Sequence, residues 1–319
     1  MRNGTGTTAG RVRCSCTGTA PATGSGAALP PHRPARTAPL TAEEARVASF
    51  PVLTAPLSWP GFGDVTLAAL LLLAVAAFCA GAVDAIVGGG GLVQLPVLLL
   101  ILPGGEAIFS VATNKLAAVV GTASAAITYA RRVRIDWSHT GPMAGAAFAG
   151  SLGGALLSSS LPSRVLTVVV LVALVGVGLY TWRRPSLGVE HTPRYGRGAE
   201  LAVMVAGGAS IGFYDGLAGP GTGSFLVILL VGLVGFAFLT ASASAKVVNT
   251  ATNLGALAFF LPTGAVLVGL GAVMAAANLT GSVLGARLAM SRGSAFVRKV
   301  FLVVVAGLIV TLATRLALG

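Results

Sequence analysis

The chain has 319 residues, of which 55% are hydrophobic and only 9% charged, and its mean hydropathy is +0.88. Soluble domains carry about 25% charged residues to keep their surface in water, so the composition argues against a soluble enzyme, a nucleic-acid-binding domain or a disordered chain. The net charge of +12 does not restore a nucleic-acid reading: most of the basic residues lie in the N-terminal tail and in short gaps between apolar runs, as in the loops beside membrane spans, and no basic face is interleaved with aromatics.

Residues 1–62 are rich in Gly, Ala, Thr, Pro and Arg and lack apolar periodicity. They read as a disordered tail, and no apolar stretch follows the early arginines as a signal peptide would require. No Met occurs between Met1 and Met143. This favours a true start at a Val or Leu codon near Val47 to Leu53, with the tail outside the product.

From Asp64 onward apolar segments follow closely, at 65–87, 92–102, 107–130, 140–160 and 163–182, then 199–218, 223–239, 241–262, 265–290 and 295–317. Several reach the roughly 18 residues needed to cross a bilayer. A polar connector, 183–198, separates a first transmembrane repeat, 63–182, from a second, 199–319. The segment 92–102 is too short to span, follows four glycines and contains Pro96. It reads as a broken or re-entrant helix, which is tolerated only where protein or a water-filled cavity satisfies its backbone.

The two groups match each other. The offset that carries Asp84 onto Asp215 also carries Gly81 onto Gly212, Gly88 onto Gly219, Gly90 onto Gly221, Lys115 onto Lys246 and Gly150 onto Gly281. About 20 of some 78 aligned positions are identical against roughly 8 expected by chance in such a composition, the mark of an internal repeat. The fold class expected is therefore all-α: a polytopic integral membrane protein of two homologous repeats, each of four to five hydrophobic segments, with broken or re-entrant helices at the Gly-rich loops. Ten crossings would invert the halves, and eight would place both termini in the cytoplasm. Loop charge does not choose between these topologies.

Asp84, Lys115, Asp215 and Lys246 all fall inside apolar segments. An intramembrane charge costs at least about 2.5–3.5 kcal/mol, so such residues must face protein or water. Lys115 and Lys246 are candidate attractors of an anion, and Asp84 and Asp215 are candidate coupling groups. The competing reading is two structural Asp–Lys pairs that neutralise each other. Gly88, Gly89, Gly90 and Gly91 follow Asp84, and Gly221, Thr222, Gly223 and Ser224 follow Asp215. A half-helix starting at either run would aim free amides at an anion; a tight helix crossing would need the same glycines. No GK[ST] sequence follows, which excludes a Walker A loop. Asn114, Asn249 and Asn253 either line a cavity or bond between helices. Gly150–Gly154 and Gly281–Gly285 read as helix-packing faces. Cys14, Cys16, Cys79, His32, His139 and His191 show no metal or nucleophile spacing. Cys79 is expected as a small buried residue and the histidines as solvated.

The stretches GAVDAIVGGGGLVQLPVLL, ATNKLAAVVGTASAAITYARRVRIDW, GFYDGLAGPGTGSF and SAKVVNTATNLGALAFF resemble the sulfite exporter TauE/SafE family, also called the sulfonate uptake permease family, over about residues 63–319. The resemblance implies a multi-pass inner-membrane permease that moves sulfite, organosulfonates or related anions. It departs from that pattern in the N-terminal tail and in Ser244-Ala245-Lys246, which stands where the first half has Thr113-Asn114-Lys115. The expected partners are a small anionic substrate and the lipid bilayer; nucleic acid is excluded and a homo-oligomer is left open. No cofactor and no enzymatic activity are expected. The alternative is a non-transporting membrane assembly factor or an intramembrane enzyme. An enzyme would need a nucleophile–base or metal constellation that the sequence lacks, and an assembly factor would not need matched Asp–Lys pairs.

Overall fold

The computed structural model describes residues 61–62, 65–102, 107–158, 194–217 and 219–318. The expectations for residues 1–60, for the segment 163–182 and for most of the connector 183–198 lie outside the described residues. Among the described residues the structure is helical, with no strand.

Helix α1 (Leu67–Val87) is capped by Thr66, whose hydroxyl oxygen accepts the Ala69 N–H at 3.2 Å. At 1.5 Å per residue its 21 residues reach about 31 Å, a full hydrocarbon core. It stops at Gly88, in the left-handed region at φ 87°, and α2 (Gly90–Ile101) begins two residues later. The 12 residues of α2 span only about 18 Å and contain Pro96. Then come α3 (Ala107–Ala130), α4 (Trp137–Leu157) and α5 (Arg197–Leu217). The second short helix, α6 (Thr222–Ile228), runs into a π-helical turn, Leu229–Val234. Helix α7 (Phe238–Phe260) follows, and α8 (Val268–Leu318) takes up the last two apolar segments. These segments are not separated by a loop: the helix is broken at Gly293 alone, at φ 73° and ψ −176°.

Among the described residues, three stretches are long and apolar enough to cross a membrane: α1, Ile108–Ala130 of α3, and Val268–Val303 of α8. About half of each is buried in protein. Leu71, Leu72 and Val75 of α1, Ile127 of α3 and Leu284 and Val303 of α8 are exposed, a surface suited to lipid tails. Helix α7 is buried along most of its length yet carries Ser242, Ser244, Lys246, Asn249, Thr252 and Asn253 on its buried face. An interior helix of this kind is recognised by burial rather than by apolarity.

Helix α1 packs chiefly on α8, and α4 on α5. A Cβ at Gly281 or Gly285 would overlap the carbonyls of Phe78 or Ala82 on α1, and one at Gly150 or Gly154 those of Ala209 or Phe213 on α5. Both GxxxG pairs are therefore close crossings of helix backbones. Two side chains depart from the sequence reading. Cys79 lies exposed on α1, because Ala76, Ala77 and Ala80 take the inward positions. His139 is buried in the first turn of α4, held by Asp136 at 2.7 Å and near the Arg197 carbonyl at 3.3 Å.

Candidate functional site

Asp84, Lys115, Asp215 and Lys246 meet as two ion pairs. Lys115 Nζ lies 2.7 Å from Asp215 Oδ1, and Lys246 Nζ lies 2.8 Å from Asp84 Oδ2. All four residues are buried. Sequence separation groups Asp84 with Lys115 and Asp215 with Lys246, but the structure exchanges the partners, so each pair ties one half of the chain to the other. Pairing of this kind is what makes charge tolerable inside a helical bundle, since a lone buried ion carries a desolvation penalty of several kcal/mol.

The helix breaks are held by specific bonds. The last carbonyls of α1 have no partner within the helix. Ala85 O accepts from the Tyr129 hydroxyl at 2.9 Å, Ile86 O from Ser242 at 3.3 Å and Val87 O from Ser224 at 3.2 Å. Gly88 O accepts the Ser224 N–H at 2.9 Å, so the two Gly-rich loops are joined backbone to backbone. A Cβ on Gly88 would overlap the backbone of Gly223, and one on Gly223 that of Gly88. These two glycines serve close approach. In the other loop Tyr214 donates its hydroxyl to Pro220 O at 2.6 Å. Unwound backbone thus stays satisfied away from water.

The donors at the new helix starts are already engaged. The Gly90 N–H at the head of α2 donates to Asp84 Oδ1 at 3.2 Å. The Thr222 hydroxyl at the head of α6 donates to Asp215 Oδ1 at 2.6 Å. Lys115 also donates to the Asp215 backbone carbonyl at 2.8 Å. Each aspartate therefore acts as an internal anion at the start of the following helix, where free amides and the positive dipole end favour negative charge.

Beside these groups lies a cavity of about 30 Å³, room for on the order of two waters. Of the residues singled out from sequence, Asp84, Gly88, Gly90, Gly91, Asn114, Lys115, Asp215, Gly221, Thr222, Gly223, Asn249 and Asn253 line it. Three do not. Lys246 is buried against Asp84, Gly89 is the N-cap of α2, and Ser224 is turned to the end of α1. The sequence reading overlooked Gln94, Thr122 and Asn278, which line the same cavity and are buried. Their signal was a lone polar residue in an apolar run, as in GLVQLPVLL. Asn278 Nδ2 donates to Gln94 Oε1 at 2.9 Å, joining α8 to α2. Among the described residues, Gln94 Nε2, Asn114 Oδ1 and Asp215 Oδ2 are buried without a hydrogen-bond partner. Unpaired buried polar groups are rare and costly, and these three belong to residues that line this small cavity.

The sequence model described as "Sulfite exporter TauE/SafE" matches residues 73–312. The "Probable membrane transporter protein ORF9" of a Sinorhizobium species is 36% identical over 241 residues, covering 76% of this chain and 91% of that one. The "Probable membrane transporter protein YfcA" of Escherichia coli K12 is 36% identical over 246 residues, covering 76% and 90%. A "Probable membrane transporter protein" of Haemophilus influenzae Rd is 34% identical over 238 residues, covering 74% and 91%. No solved structure matches.

Proposed function

The chain belongs to the sulfite exporter TauE/SafE family of membrane transporters, and from that premise we propose that it is a secondary transporter of a small sulfur-containing anion, such as sulfite or an organosulfonate. It works as a multi-pass protein of the cell (inner) membrane. The observation that carries this reading is the pair of buried lysine–aspartate contacts made between the two halves at the cavity. Helix boundaries support the repeat reading, because the order long, short, long, long recurs in α1–α4 and α5–α8 at the offset that relates Asp84 to Asp215. Transporters built from such repeats hold their substrate between them, near the membrane midplane and beside discontinuous helices. The short α2 and α6 fit that description as broken or re-entrant helices.

The charges suggest how movement is coupled. Two lysines and two aspartates sum to zero when all are ionised. An incoming monoanion adds one negative charge to a poorly solvated site, and a proton delivered to an aspartate removes one. Asp215 is the better placed of the two, since its Oδ2 is unpaired and it lines the cavity. Protonation there frees the Lys115 ammonium for the anion. Gly88, Gly90, Gly91, Gly221, Thr222 and Gly223, which line the cavity, supply further polar contacts together with Asn114, Asn249 and Asn253. Lys246 takes part through Asp84, which it holds against the head of α2.

Uptake into proteoliposomes tests the proposal, with sulfite, thiosulfate, sulfoacetate, taurine and sulfate presented in turn under an imposed pH gradient. Saturable uptake of at least one sulfur anion, stimulated by acid on its entry side, is expected. Intact protein that moves none of them would return the chain to the assembly-factor reading.

A further inference from the structure

Gln94, Asn114 and Asn278 form a neutral edge to the cavity opposite in kind to the ion pairs. The offset that relates the charged residues places Gln94 on Phe225, Asn114 on Ala245 and Asn278 on Ala147. The two halves share the charges and differ in the amides. Part of this edge is fixed in orientation. The Ser282 hydroxyl is shared between Asn278 Oδ1 and Gly81 O, both at 3.2 Å, and Asn278 Nδ2 donates to Gln94 Oε1 at 2.9 Å. The open end of that chain is Gln94 Nε2, a donor. The other two open valences are acceptors, Asn114 Oδ1 and Asp215 Oδ2. Gln94, Asn114 and Asp215 are 1%, 6% and 2% exposed, so bulk water does not serve them.

We propose that this edge is a specificity subsite that selects anions carrying a hydrogen-bond donor of their own, such as a protonated oxyacid monoanion or an N–H or O–H bearing sulfonate, over donor-free anions and dianions. The inference rests on the anion-transport reading and narrows its substrate class. One acid oxygen of the guest accepts from Gln94 Nε2. Its own O–H or N–H donates to Asn114 Oδ1. A donor-free anion answers the glutamine but leaves Asn114 Oδ1 facing its lone pairs, and a second negative charge exceeds the one that a proton on Asp215 offsets. A buried group left unpaired in this way weakens binding by roughly 5- to 150-fold.

Sulfamate and methanesulfonate provide the test. They share shape and single charge, and differ in an NH₂ where the other has a CH₃. Binding to the full-length purified protein would be measured by calorimetry, with sulfate as a donor-free dianion. Sulfamate is expected to bind at least about tenfold more tightly than either. In Asn114→Leu, checked for an unchanged melting profile, the preference should shrink severalfold, because methanesulfonate no longer meets an unpaired acceptor. If sulfamate binds no more tightly than methanesulfonate in the wild type, the inference is overturned while the transporter reading stands. Failure to bind or take up any anion of either panel overturns both.

Discussion

The two ion pairs are built from the same residue types at matching positions, yet their surroundings differ. Asp84 uses both oxygens: Oδ1 accepts the Gly90 N–H and Oδ2 accepts Lys246. Lys246 is fully buried and does not line the cavity. Asp215 places Lys115 and Thr222 on one oxygen and leaves the other unpaired, and Lys115 lines the cavity beside it. One pair is closed and the other open. A closed pair holds two helices together; an open one has a valence left for a guest. In the transport reading proposed above, the difference fits a holding role for Lys246–Asp84 and an exchanging role for Lys115–Asp215.

The largest effect should come from halving the closed pair. Lys246→Met leaves the Asp84 carboxylate buried without its counter-charge and should cost about 3–5 kcal/mol of stability. Thermal unfolding in detergent and the yield of inserted protein would register the loss, and the second substitution, Asp84→Asn, should recover most of it. If Lys246→Met alone is as stable as wild type, the closed pair is not an anchor. Next, Lys115→Gln removes a charge-assisted contact worth about 1.5–3 kcal/mol, or roughly 10- to 150-fold in anion affinity. Concentration dependence of uptake would show it as a raised half-saturation; an unchanged value would take Lys115 out of the site. Lys115→Arg should restore this only in part, since a planar fork does not replace a compact ammonium.

Thr222→Val probes the open pair more gently. It removes the 2.6 Å bond to Asp215 Oδ1, about 1 kcal/mol, and should shift the pH dependence of uptake while leaving the fold intact. An unaltered pH profile would separate Thr222 from coupling. The smallest effect belongs to a control that is in neither pair and does not line the cavity. Asp136 caps α4 by accepting the Ser138 N–H at 3.0 Å, and Asp136→Ala should lose about 1 kcal/mol of stability with uptake unchanged. Hydrogen bonds from Ser138 and then His139 hold the Asp136 carboxyl below the usual carboxylate range. The stabilisation from this depressed group is present at neutral pH and is lost as pH falls through its lowered value. A melting profile flat through the acid range would contradict that.

Much of this was legible in the residues. Charges inside apolar runs are expensive enough to stand out, and GGGG followed by Pro96 cannot extend a spanning helix, so Asp84, Lys115 and the short α2 could be read directly. The partner exchange could not, because sequence separation says nothing about which half-helices cross. The neutral amides were missed for a different reason. A single Gln94 or Asn278 changes the hydropathy of a segment very little, and its role rests on an atom left unpaired, which only three-dimensional packing reveals. The last two apolar segments were separated at the polar stretch 291–294, whereas the chain stays helical around Gly293.

The central claim is that the open pair exchanges and the closed pair holds. Two charge-neutral double variants test it, Lys115→Gln with Asp215→Asn and Lys246→Gln with Asp84→Asn, compared for anion uptake in proteoliposomes at equal reconstituted amounts. Neither leaves a lone buried charge, so both should fold. The account predicts that the first loses uptake and its dependence on the pH gradient, and that the second retains both. Uptake near the wild-type level by the first variant, or equal loss in the two, would contradict it.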